Sequence, residues 1–249
     1  MRTFAPVSLA AFFLLCSSGC GNPNTGVVDD ARLRNAEGDS ANWLMYGRTY
    51  DEHRFSPLRQ INEQSIRGLG LAWSLELETT RGLEATPLVL DGVIYLTSSW
   101  SVVHAIDART SEMLWTFDPQ VDRARAADIV CCDMVNRGVA LYDGKVYVGT
   151  LDGRLIALDA VTGGPVWDVL TIDPNRPYAI TGYPRVANGL VMIATPGRSS
   201  ASAVTSRPTM RRQARWSGAP IPYPTTRRSA SSPTPWSARP KRGVANGDG

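Results

Sequence analysis

Histidine is nearly missing from this 249-residue chain: His53 and His104 are the only two. Neither has a second histidine or an acidic cluster at ligand spacing, which argues against a histidine-built zinc site, and both are read as structural. Long apolar runs are missing as well. The longest N-terminal one, from Ala5 to Leu15, is too short for the ~20 residues of a membrane-spanning helix. Acidic residues all but vanish at the C-terminal end. Residues Arg198 to Gly249 hold ten Lys/Arg and one acid, so the first 197 residues keep 16 basic against 22 acidic, a formal charge of −6. The net +3 of the whole chain therefore gives no argument for a nucleic-acid partner, and none is expected.

Cysteine is scarce, and its four copies fall into two groups. Cys16 and Cys20 lie in a segment with Arg2, the apolar run, and small residues at Ser17-Ser18-Gly19. That order is a secretory signal peptide over residues 1–20. The string SSGC resembles a lipobox, with Ser17 in place of the usual leucine, so Cys20 is a candidate lipid anchor. Export implies an oxidising compartment. The second group is the adjacent pair Cys131-Cys132. Neighbouring Cα atoms stand about 3.8 Å apart across a trans peptide, below the usual disulfide range. Two readings stay open on the residues alone: two buried free thiols, or a strained ring disulfide of the kind that surrounding structure holds at a functional site.

What the chain has in quantity is short alternating runs. Residues 21–41 are polar and mixed and read as a linker, and residues 42–62 (NWLMYGRTYDEHRFSPLRQIN) read as a wrap along the edge of the strand-rich body. From Gly70 come LAWSLEL, ATPLVLDGVIYLTSS, SVVHAIDA and MLWTFD, then VALYDGKVYVGT, GRLIALDA and PVWDVL. Each reads as a strand or a hairpin, with Asp143-Gly144 as one of the turns. AIDARTSEMLW and ALDAVTGGPVW share the frame A-x-D-A-x-T-x-x-x-x-W, 52 residues apart from Ala105 to Ala157. A repeated four-stranded unit cannot bury both faces alone, and radial stacking of such units gives a β-propeller. In that reading the Asp and Thr hold a turn, and Trp115 and Trp167 dock on a neighbouring blade.

CCDMVNRG, the hairpin after it, and LDGRLIALDAVTG together resemble the pyrroloquinoline-quinone (PQQ) dependent alcohol dehydrogenases, from about Ala41 to Ile193. The resemblance implies an all-β fold, the first two to three blades of an eight-bladed propeller over residues 42–193. It implies PQQ and Ca²⁺ as cofactors, a periplasmic site, a primary alcohol as substrate and a cytochrome c as electron acceptor. A haem c domain outside this chain is compatible with it. Carried over residue by residue, Glu84 in GLEATPLV matches an acid that contacts PQQ. Cys131 and Cys132 match a ring disulfide against the cofactor face. Arg137 matches an arginine that pairs with a cofactor carboxylate, a bidentate role for which lysine is a poor substitute. Thr181 in AITGYPRV matches a hydroxyl donor. Tyr183 stands where the family would have a small residue. The catalytic aspartate and the calcium ligands belong to later blades, so neither is assigned within this chain.

After Ile193 the composition changes to Ser, Pro and Arg without strand periodicity, and residues 194–249 read as a disordered basic tail produced by a frameshift. Shifting each triplet one base earlier, with codons compatible with the printed residues, permits GAEFGVRGYVTAYDAATGALVW from position 197. That string contains a third docking motif whose aspartate falls at position 210, against Asp107 and Asp159 in the visible motifs. The chain is therefore expected to be an inactive N-terminal piece of such an enzyme. The alternative is a non-catalytic propeller lipoprotein that scaffolds outer-membrane assembly.

Overall fold

A computed structural model describes residues 26–130, 133–196, 201–206 and 215–216. Three four-stranded antiparallel meanders make up the fold. Blade 1 contains β1 (Leu88–Leu90), β2 (Val93–Thr97), β3 (Val103–Asp107) and β4 (Met113–Phe117). Ahead of it in the chain lies the short helix α1 (Asp30–Arg34). After helix α2 (Arg123–Ile129), blade 2 contains β5 (Ala140–Tyr142), β6 (Lys145–Gly149), β7 (Arg154–Asp159) and β8 (Pro165–Leu170). The third sheet contains β9 (Arg185–Ala187), β10 (Leu190–Pro196), β11 (Ala201–Ser206) and β12 (Arg215–Trp216). This is an incomplete β-propeller.

The first two strands of each sheet are joined by two-residue turns: Asp91-Gly92, Asp143-Gly144 and Asn188-Gly189, with every φ positive. Such turns match the right-handed twist of the strands they join. The middle strands carry the core. Tyr95, Val103, Tyr147, Leu155 and Ile156 are fully buried in one cluster that spans both blades. Blades 1 and 2 also shift register at the same place, between Ala105 and Ile106 and between Ala157 and Leu158.

Adjacent blades are locked by the repeated motif. Asp107 Oδ1 accepts the backbone N–H groups of Arg109 and Thr110 at 2.8 and 2.9 Å. Asp159 Oδ1 does the same for Val161 and Thr162 at 3.1 and 2.8 Å. These donors hold both carboxyls below the usual carboxylate range. Trp115 of blade 1 then donates its indole N–H to the Ala160 carbonyl at 3.1 Å. Its ring lies on Gly163, where an added Cβ would stand 2.6 Å from Trp115 Cδ2. Docking by Trp115 is thus seen directly.

Three regions depart from the sequence reading. Residues 26–41 are not all linker: Asp29 caps α1, and Val28, Leu33 and Ala36 are buried. Arg32 pairs with Asp91 at 2.9 Å, and buried Arg48 donates to the Glu37 carbonyl at 2.9 Å. The polar composition hid the few apolar anchors. LAWSLEL forms no strand, although its alternation is real: Trp73, Leu75 and Leu77 are half-buried between exposed neighbours. A strand needs a ladder partner, and none stands beside it among the described residues; Trp73 instead docks on the Ala108 carbonyl at 3.0 Å. The tail from residue 194 is not wholly without strands, since β10 runs on to Pro196 and β11 pairs with it from Val191↔Ser206 to Pro196↔Ala201. An open sheet edge pairs through main-chain groups, so weak side-chain patterning does not prevent it.

Candidate active site

Three loops lead into the innermost strands β1, β5 and β9, and each carries one of the expected residues three or four positions before its strand. Glu84 precedes β1, Arg137 precedes β5 and Thr181 precedes β9. Backbone bonds stitch the loops together: Thr86 N–H donates to the Arg137 carbonyl at 3.3 Å, and Arg137 N–H to the Thr181 carbonyl at 3.0 Å. Gly138 sits at φ 125° with Thr86 O only 3.2 Å from where a Cβ would be. A side chain there would force the first two loops apart.

The side chains meet as well. Arg137 Nη2 pairs with Glu84 Oε2 at 3.0 Å, and Arg137 Nη1 donates to Thr181 Oγ1 at 3.0 Å. Both partners of the ion pair are well exposed, at 39% for Arg137 and 44% for Glu84. An ion pair of that exposure contributes about 0–1 kcal/mol, so stability does not explain why an arginine stands there.

Cys131 and Cys132 lie outside the described residues, and so do Cys16 and Cys20. The chain on either side of the Cys131-Cys132 pair is anchored. Upstream, Asp122 caps α2 by accepting Arg125 N–H at 3.1 Å, and Ala126 is buried beside Val121, Met134 and Leu151. Downstream, Trp100 N–H donates to the Met134 carbonyl at 3.1 Å. Asp133 pairs with Arg81, and its carboxyl is held low chiefly by the Met134 N–H. Arg81 and Arg123 both lie over the Trp100 ring, at 5.5 and 5.1 Å from its centroid. Trp100, Ser101 and Asp133 all have positive φ, a conformation that costs energy outside glycine.

Asn136 is a residue that the sequence reading passed over. It is 2% exposed and donates to Gly149 O at 2.7 Å and Ser101 Oγ at 3.0 Å. Its Oδ1 accepts from Gly138 N–H and Thr97 Oγ1, both at 3.0 Å. With every polar side-chain atom satisfied, it fixes the loop from which Arg137 projects. Its signal was an amide beside Arg137 in the mostly apolar stretch MVNRGVAL.

Tyr183 is accommodated by stacking on Tyr46, with centroids 3.9 Å apart and rings 3° from parallel. His104 is bonded to Ser98 and Thr116, and burial lowers its pKa. Among the described residues no group of three or more His, Cys, Asp or Glu could hold a metal ion.

Residues 43–169 match the family described as the PQQ glucose/ethanol/alcohol dehydrogenase β-propeller domain. Quinohemoprotein alcohol dehydrogenase ADH IIB of Pseudomonas putida is 57% identical over 170 residues, 68% of this chain and 24% of that protein. The 1-butanol dehydrogenase (cytochrome c) of Thauera butanivorans is 54% identical over 158 residues, 62% of this chain and 22% of that protein. The solved quinohemoprotein alcohol dehydrogenase of Comamonas testosteroni overlays with a TM-score of 0.69 at 50% identity, covering 72% of this chain and 27% of that one. The chain thus spans about a quarter of the length of the curated relatives it matches. The family match covers half of the chain, and the chain belongs to the PQQ-dependent alcohol dehydrogenase family.

Proposed function

We propose that this chain is the N-terminal part of a PQQ- and calcium-dependent enzyme that oxidises primary alcohols in the periplasm, and that it is inactive as written. The observation that carries the reading is Arg137, which joins Glu84 and Thr181 from three successive loops at one end of the innermost strands. The donor set suits an acidic heterocycle. Arg137 has five N–H donors, more than these two partners use. Thr181 Oγ1 accepts from Arg137, which leaves its own proton for a ligand acceptor. Glu84 is a half-exposed acceptor for a ligand N–H. In this role Arg137 and Thr181 hold ligand carboxylates, Glu84 orients the ring system, and the bonded Cys131-Cys132 pair forms a wall against it. When bound, PQQ supplies a two-electron acceptor for the alcohol, with Ca²⁺ as the Lewis acid on its carbonyl.

The base, the calcium ligands and any haem c belong to later parts of the parent protein. Electrons pass from it to a cytochrome c, an acceptor that the name of the butanol-oxidising relative supports. The signal-peptide pattern supports export, and Cys20 supports a lipid anchor. No observation favours the scaffold reading.

The test compares the written chain with a full-length, frame-corrected protein. The corrected protein is expected to bind PQQ on titration, to oxidise alcohols with a dye acceptor only when Ca²⁺ is present, and to yield a non-reduced Cys131-Cys132 peptide two hydrogens lighter than its reduced form. The written chain is expected to give no turnover. Robust turnover by the written chain, or no PQQ binding by the corrected one, would overturn the proposal.

A further inference from the structure

A cavity of about 130 Å³ lies between segment 44–52 and the innermost strands β1, β5 and β9. Backbone bonds in both directions between Trp43 and Val89, each 2.9 Å, hold that segment against β1. The walls are apolar: Leu33, Leu44, Leu88, Leu141 and Val186 line the cavity and are all buried. None of Glu84, Arg137 and Thr181 lines it.

The charged groups at the cavity are spent on one another. Glu52 pairs with Arg185 at 3.1 Å and with Arg54 at 4.0 Å. Arg54 lies over the Tyr46 ring and Arg185 over the Tyr183 ring, 4.8 and 5.1 Å from the centroids, and the two rings stack on each other. An ionic ligand would have to break this set, so the cavity suits a neutral one. One polar atom is left over. Tyr50 OH donates to the Val186 carbonyl at 3.0 Å, and Tyr183 OH accepts from Arg185. Thr49 Oγ1 is shut off from solvent and has no hydrogen-bond partner among the described residues.

A buried hydroxyl without a partner loses its hydration and gains nothing in return. A lone water is a poor remedy, because it needs about two to four polar partners to stay in such a place. A short alkyl chain ending in a hydroxyl answers both features, with apolar surface for the walls and one hydrogen bond for Thr49. A cavity of about 150 Å³ holds a benzene ring, so this one has room for about five or six non-hydrogen atoms, the size of 1-butanol.

We infer that this cavity is a binding site for one short-chain alcohol, its hydroxyl on Thr49 Oγ1 and its chain against Leu44, Leu88 and Leu141. It is separate from the cluster of Glu84, Arg137 and Thr181, and it rests neither on the cofactor reading nor on the frameshift, since its lining residues all lie in the described part of the chain.

The experiment titrates 1-butanol into the written chain labelled with ¹³C at its methionine methyl groups. Met45 and Met192 line the cavity, whereas Met113 and Met134 do not and serve as references. The signals of Met45 and Met192 should move saturably and those of Met113 and Met134 should stay. Thr49→Val keeps the volume and removes the hydroxyl. In that variant 1-butanol should bind about three- to tenfold more weakly, the scale of one neutral hydrogen bond. The hydroxyl-free 1-chlorobutane should bind it as well as the parent, or better. Shifts that never saturate, shifts spread equally to Met113 and Met134, or equal butanol affinity in Thr49→Val would overturn the inference. Should the written chain not stay in solution, the same titration of the full-length, frame-corrected protein without PQQ reads the same signals. A cavity filled there by a later part of the protein would leave Met45 and Met192 unmoved, and that too would overturn it. PQQ does not enter the measurement, so the cofactor reading can fall while this site stands.

Discussion

At their outer turns blades 1 and 2 are copies of each other. Asp107 and Asp159 gather the same N–H groups, and the ring pairs Tyr95–Trp115 and Tyr147–Trp167 above them have the same tilt. At the loops that feed the innermost strands they share nothing: Glu84 stands before β1 and Arg137 before β5. Repetition is what a stack of like units needs to close its interfaces, so the repeated residues speak for architecture. A site for one small asymmetric ligand needs a different group from each blade, so the residues that break the repeat speak for chemistry. In a propeller, the positions that recur most faithfully along the chain are the least informative about the reaction.

Substitutions in a full-length, frame-corrected protein can break that division of labour. The largest effect is expected from Trp115→Ala at the repeated end. It removes the bond to Ala160 O and the packing on Gly163, and should lower stability by about 3–5 kcal/mol, as large aromatic deletions do. Denaturant unfolding measures this. PQQ affinity of the molecules that remain folded should not change; a parallel loss of cofactor affinity would mean that the two ends are not independent.

Arg137→Lys is the counterpart at the non-repeated end. It should weaken PQQ binding by about 1.5–3 kcal/mol, the scale of a hydrogen bond to a charged group, while the unfolding midpoint barely moves. Titration of apo-protein with PQQ measures the first and a thermal melt the second. Unchanged affinity would remove Arg137 from the site.

The smallest effect is the acid response of the docking turns. Both Asp107 and Asp159 have folded pKa values below the ordinary carboxylate range, because backbone N–H groups favour the charged form. Their contribution is therefore fully present above the unfolded pKa of about 4 and is lost as pH falls through the lower folded values. Melting temperature should decline below about pH 4, and the double substitution of Asp107 and Asp159 by asparagine should flatten that decline. An unaltered slope would show that the turns are held by something else.

The hairpins and docking turns were legible in the sequence because Asp-Gly chemistry and the 52-residue frame are local signals. The meeting of Glu84, Arg137 and Thr181 was not local. It was reached only through the family resemblance, since these residues lie more than 40 positions apart in sequence. Segment 71–77 kept its alternation but could not show that no ladder partner stands beside it among the described residues. Helix α1 hid in polar text because three buried apolar residues, Val28, Leu33 and Ala36, are enough to anchor it. Asn136 was missed because an amide signals its role through the four partners around it, which sequence order does not display.

The acceptor that joins the blades, Ala160 O, belongs to the main chain. No single substitution at position 160 can delete it, whereas Trp115 or Tyr95 is lost by one codon change. The interface is thus robust on one side and fragile on the other. A duplicated blade would arrive with its acceptor already in place whatever its side chain at that position, and only the donor rings would need to be preserved by selection. That asymmetry leaves a lineage of such propellers free to vary its loops while the stacking of its blades survives.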